Sequence, residues 1–134
     1  MHIRIVALSL SIWYVPAAHA QVAKPSYETV SRCFFVYAPI TELGRDLPHA
    51  QLFQFGQPRI GWATGYIQAN QNNSAFKLTF ESSLETNKRM ANQIDAMLRQ
   101  AIQSRNQTQF AAALNRAVDC DRALGIRTGY LPTM

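Results

Sequence analysis

The chain has 134 residues, of which 48% are hydrophobic, and 13 lysines and arginines against 8 aspartates and glutamates, a formal net charge of +5. The basic residues are scattered, with Lys88-Arg89 the only adjacent pair. No cationic stripe of the kind that tracks a phosphate backbone is present, so nucleic acid is not an expected partner.

Arg4 is the only formal charge before an apolar run from Ile5 to Val15, which breaks at Pro16 and ends in Ala18-His19-Ala20 ahead of Gln21. A charged start, a short apolar centre and a small-x-small end are the pattern of a cleaved export signal over residues 1–20. This run of 11 residues falls short of the ~20 that cross a bilayer. Cleavage leaves residues 21–134, which is 134 − 20 = 114 residues, and removing Arg4 lowers the net charge to +4. That length suits one compact domain with its own core, with an expected core of about 26–125 and a surface tail over 126–134. The expected product is a soluble protein in the periplasm or outside the cell, with no stable membrane insertion.

Only two cysteines occur, Cys33 and Cys120. In an oxidising compartment a bridge between them is the expected reading, and their separation resembles neither a redox pair nor a haem-attachment motif.

In chain order, Val30, Cys33, Phe34 and Tyr37 follow Pro25-Ser26 at i, i+3, i+4 and i+7, which predicts a first helix that Pro39 keeps from running much further. The apolar run Cys33 to Ala38 also fits a buried strand, although no second strand candidate exists to pair with it. Leu47 to Phe55 and Arg59 to Asn70 read as two helical pieces with a kink at Gly56 and Pro58. The second piece is apolar nearly all round and is expected at the centre of the core, with Gly61 and Gly65 forming a groove for another helix of the same domain. Asn70 to Ser74 is a polar turn. A long helix is predicted from Ser74 to Arg105, because Phe80, Leu84, Asn87, Ala91, Ile94, Leu98 and Ala101 alternate spacings of four and three. Asn106 and Gln109 form a capping-box pattern that starts a last helix through Phe110, Leu114, Ala117, Val118 and Leu124, closed by Gly125. The fold class is therefore all-α, a small helical bundle of about four helices, one kinked, stapled by Cys33–Cys120 between the first and last.

Chemistry is sparse in this sequence. His49 is the only histidine after signal removal and is expected as a cap or at the surface, since one histidine and two bridged cysteines cannot supply a zinc site. Glu81 and Glu85 share a helix face, but Lys88 and Arg89 follow Glu85 at three and four residues, the pattern of a solvated ionic face; Asp119 has Arg116 and Arg122 three residues to either side. No nucleophile elbow, phosphate loop, HExxH or EF-hand pattern occurs. No catalytic, metal-binding or cofactor-binding residues are assigned, and no cofactor is expected.

The leading expectation is a non-catalytic exported module that binds another protein or belongs to an envelope assembly, with Phe53, Phe55, Trp62 and Tyr66 as candidate contact residues. A different class also fits the outline: a short exported helical chain with one long-range disulfide resembles, in layout alone and without a shared motif, the small acid-stress chaperones of the bacterial periplasm, which implies a holdase. An enzyme built on Glu81 and Glu85 is the third reading.

Overall fold

The computed structural model describes residues 24–134, and the predicted export signal lies outside them. Four helices follow in order: α1 (Tyr27–Asp46), α2 (Ala50–Ala69), α3 (Ser74–Ser104) and α4 (Gln107–Leu124). No strand occurs among the described residues, and the Cys33–Cys120 disulfide joins the first helix to the last, as the sequence predicts.

Each helix begins where a side chain accepts one of the backbone N–H groups that the first turn leaves without an intrahelical partner. Ser26 Oγ accepts from Thr29 N at 3.1 Å, His49 Nδ1 from Leu52 N at 3.2 Å, Asn73 Oδ1 from Phe76 N at 3.0 Å and Asn106 Oδ1 from Gln109 N at 3.0 Å. Caps of this kind stabilise a helix by about 1 kcal/mol each. The Asn106 box is only half formed, because the Gln109 side chain donates to Gln100 Oε1 at 3.2 Å instead of reaching back to its cap. At their C-termini, α3 and α4 close through left-handed residues, Arg105 with φ 53° and Gly125 with φ 70°.

Two prolines fail to end helices that they were expected to break. Pro39 lies inside α1, which continues to Asp46, and Pro58 lies inside α2, a single helix over Ala50–Ala69. An interior proline costs roughly 3 kcal/mol. Beyond Pro39, Ile40 and Leu43 are fully buried, and burying two such side chains contributes roughly 1.5–3 kcal/mol each. Core burial therefore outweighs the lost hydrogen bond. The same contest settles the strand alternative for Cys33 to Ala38, since Cys33, Val36, Tyr37, Ile40 and Leu43 occupy one core at helical spacing.

The central element is α1, not the Arg59 to Asn70 segment. Backbone packing joins α1 to α2, α3 and α4, and α3 to α4, while α2 lies against α1 alone. The close α1–α2 approach runs through Gly44 and Gly56. A Cβ at Gly44 would strike the backbone N of Phe53 and stand 2.8 Å from its Cα; one at Gly56 would strike Thr41 Oγ1. Gly61 and Gly65, expected to hold that groove, have nothing within 4 Å of an added Cβ. They are exposed on the far side of α2.

The α3 seam is buried where Ile94, Leu98 and Ala101 meet the core. Asn87, the polar member of that seam, is buried and donates to Ser83 Oγ at 3.1 Å within its own helix. After Gly125 the tail lies along the surface: Ile126 packs on the core, and Thr133 N donates to Gln51 Oε1 at 2.8 Å. None of the described helices is long and apolar enough to cross a membrane.

The bridge closes a loop between residues 87 positions apart. On chain-entropy grounds, Cys33→Ala/Cys120→Ala is expected to lower stability by about 4–5 kcal/mol. Urea titrations of the two proteins, with helicity as the readout, measure that difference.

Candidate functional site

Two features stand out from ordinary core packing: a buried polar network beside the disulfide, and an aromatic edge where α2 turns into α3.

The network is built on Asp121, whose side chain has no solvent exposure. It follows Cys120 directly on α4, and the bridge to Cys33 sets it beside Tyr37, one turn further along α1. Tyr37 Oη donates to Asp121 Oδ1 at 2.8 Å, and Thr128 Oγ1 in the tail donates to Oδ2 at 2.9 Å. Arg59 of α2, itself 7% exposed, donates from Nε to Oδ1 at 2.9 Å and Oδ2 at 3.1 Å, and from Nη2 to Oδ2 at 2.8 Å. Its remaining bonds are to backbone: Nη1 to the Phe55 carbonyl and Nη2 to the Thr128 carbonyl, each at 2.8 Å. The guanidinium carbon sits 3.7 Å above the centre of the Phe55 ring. Burying a charged pair is tolerated only when both ions are hydrogen-bonded throughout, and no buried side-chain N or O atom among the described residues lacks a partner.

Burial, reinforced by the hydrogen bond and the charge of Asp121, raises the Tyr37 hydroxyl far above its ordinary pKa despite the opposing Arg59 cation. The phenol is held as a neutral donor. Beside the network, a cleft of about 480 Å³ lies between the tail and α2, lined by Gln51, Gln54, Phe55, Arg59, Thr128 and Tyr130 among others. Four of the five Arg59 N–H groups are already engaged with Asp121 and the two carbonyls, so the arrangement works as a structural lock.

The aromatic edge joins three helices. Trp62 and Tyr66 stack at 5.6 Å on the last turns of α2; Tyr66 meets Phe76 of α3 at 6.1 Å; Phe76 and Tyr27 form a T-shaped pair at 5.4 Å, and Phe76 continues to Phe80 at 5.9 Å. Asn73 Nδ2 donates to the Tyr27 hydroxyl at 3.1 Å, closing the turn over this cluster. Trp62 is 38% exposed, a large value for so big an apolar side chain. Desolvation, followed by the neighbouring Tyr27, raises the pKa of Tyr66.

Of the four residues singled out as contacts, the structure brings Trp62 and Tyr66 together. Phe55 is 5% exposed and serves as the floor under Arg59. Phe53 lies at the opposite end of α2, with the Arg45 guanidinium 5.9 Å from its ring centre. Glu81 and Glu85 are solvent-exposed, and Glu85 pairs with Lys88 at 3.8 Å; Asp119 pairs with Arg122 at 3.4 Å, both as exposed ionic contacts. Among the described residues no three His, Cys, Asp or Glu side chains converge as metal ligands. No family model, curated protein or solved structure matches this chain.

Sequence reasoning missed Arg59 and Asp121. The available signal was positional: Arg59 is four residues from both Phe55 and Ala63 on the buried stripe of α2, and Asp121 is four from Ala117 on that of α4.

Two predictions follow from the lock. Arg59→Met leaves a buried carboxylate without its cation and is expected to cost about 3–5 kcal/mol, whereas Arg59→Met/Asp121→Leu recovers only part of that loss, because the buried Tyr37 hydroxyl then lacks its acceptor; denaturant midpoints of the two variants decide. Tyr37 binds its proton more tightly folded than unfolded, so its contribution is complete below about pH 10 and declines above it. The wild type is expected to lose roughly 1.4 kcal/mol per pH unit there from this group, a slope absent from Tyr37→Phe when urea unfolding is followed across that range.

Proposed function

We propose that this is an exported, non-catalytic binding protein that engages a protein partner through the outer face of α2, with Trp62 and Tyr66 as its anchors. One observation carries the reading: the ten exposed positions of α2, among them Gln54, Gln57, Gly61, Trp62, Gly65 and Gln68, include no charged residue. Solvent faces of helices normally carry charge. The other three helices follow that rule, with exposed Glu28, Arg32 and Glu42 on α1, Lys77, Glu81 and Arg89 on α3, and Arg116, Asp119 and Arg122 on α4. The single charge on α2, Arg59, is turned inward to Asp121. Protein interfaces are depleted of charge at their centres and enriched in aromatics, and residues that dominate binding are most often Trp, Tyr or Arg.

Support for export comes from the disulfide, which persists in oxidising compartments, together with the signal pattern at the N-terminus. The rigid frame behind α2, stapled by the bridge and locked by Arg59–Asp121, presents the face without a cost for ordering it on binding.

The test is affinity capture of residues 21–134, oxidised and tagged, from a native envelope extract under non-reducing conditions. Trp62→Ala/Tyr66→Ala is expected to keep its helicity and to lose at least roughly tenfold of a stoichiometric partner, the effect of removing about 1.4 kcal/mol or more of binding energy. Equal retention by both proteins, or a broad set of unfolded clients held equally by both, overturns the reading.

A further inference from the structure

We infer that the occupant of this face is a second copy of the same chain, giving a dimer in which α2 of one protomer lies against α2 of its partner. The inference rests on the reading that the outer face of α2 is the binding face, and adds what covers it.

The argument begins with charge. Residues 21–134 carry a net +4, and among the described residues none of the exposed charges is on α2; they are on α1, α3, α4, the residues flanking these helices and the tail. A partner of opposite charge is drawn to those helices and gains nothing from the neutral strip on α2. A neutral face is matched by a neutral face, and this molecule presents one on a helix whose backbone packs against α1 alone.

Its hydrogen-bonding groups are self-complementary as well. Gln54, Gln57 and Gln68 are exposed on it, and a glutamine amide both donates and accepts, so the same residues on an opposing copy satisfy them without any further chemistry. Pro58 is inside the helix and has no N–H, which leaves the Gln54 carbonyl without its intrahelical donor. An opposing glutamine amide is a fitting replacement. A twofold axis makes such a contact isologous, each group meeting its complement twice.

The area sets the strength. Twenty residues make a strip about 30 Å long at ~1.5 Å per residue, and one helix face falls below the ~800 Å² per partner of a standard stable interface. The dimer is therefore of the weak, concentration-dependent class.

Sedimentation equilibrium of oxidised residues 21–134 tests this over protein concentrations from about 1 μM to about 1 mM, the range of weak complexes. The wild type is expected to pass from monomer to dimer mass within it. Gly65→Lys is expected to weaken dimerisation at least roughly tenfold with helicity unchanged, since a side chain at Gly65 meets nothing within 4 Å in the single protomer. Gln57→Lys, at an exposed position, tests the same face independently of any glycine effect. A wild type that stays monomeric throughout, or a dimer that both lysine variants form as readily, overturns the inference. If in that case Trp62→Ala/Tyr66→Ala still loses a captured protein, the binding reading stands and only the second copy falls; if that variant loses nothing, both fall.

Discussion

The carboxylate of Asp121 has to leave water completely for this bundle to close, and the rest of the architecture is arranged around that demand. A bare carboxylate in the core costs several kcal/mol. Here the cost is offset by groups from every other part that meets α4 at this level: the Tyr37 hydroxyl from α1, the Arg59 guanidinium from α2 and the Thr128 hydroxyl from the tail. The backbones of α2 and α4 do not pack against one another, so their connection is made by side chains, and this pair is its polar part. Docking α4 with α2 out of register would bury the charge without its cation. The network therefore acts as a register key as much as a source of stability, with the disulfide beside it fixing the α1–α4 spacing.

Central placement of α1 follows from the same logic. It must reach the disulfide, the ionic lock and the α3 seam at once, and it is buried on enough sides to absorb Pro39. Its approach to α2 is possible because Gly44 and Gly56 remove the atoms that would separate the backbones. With α1 occupying the middle, α2 becomes an outer helix, and the inward turn of Arg59 leaves its exposed side without charge.

Much of this was legible in the sequence where the signal is local or repeated. The long α3 stood out through its four-three spacing, the start of α4 through Asn106, and the bridge because only two cysteines exist in a chain whose first twenty residues have the pattern of an export signal. Contacts that depend on three-dimensional placement were not legible. Gly61 and Gly65 have the spacing of a packing groove, but spacing alone does not say on which side of the helix the neighbour lies; Gly44 and Gly56, on different helices, form the real one. Arg59 and Asp121 are 62 residues apart, so each was visible at most as a charge on an apolar stripe. Trp62 and Tyr66 were recognisable as neighbours on one helix, whereas Tyr27, Phe76 and Phe80 join them only because the α2–α3 turn brings three helix ends together.

The position of the bridge also decides how it responds to a reducing agent. Cys33 is fully buried and Cys120 is 3% exposed, and thiol–disulfide exchange requires an attacking thiolate to reach a sulfur directly. Cys120 lines a surface cleft with Arg32, Val36, Met90 and Arg116, so a reductant meets the bridge from that side first, while the Cys33 sulfur stays covered unless α4 leaves α1. Such an opening would also strip Asp121 of Tyr37 and Arg59, and local openings are governed by the contacts they break. The ion pair beside the bridge therefore helps to keep its sulfurs covered as well as holding the helices in register.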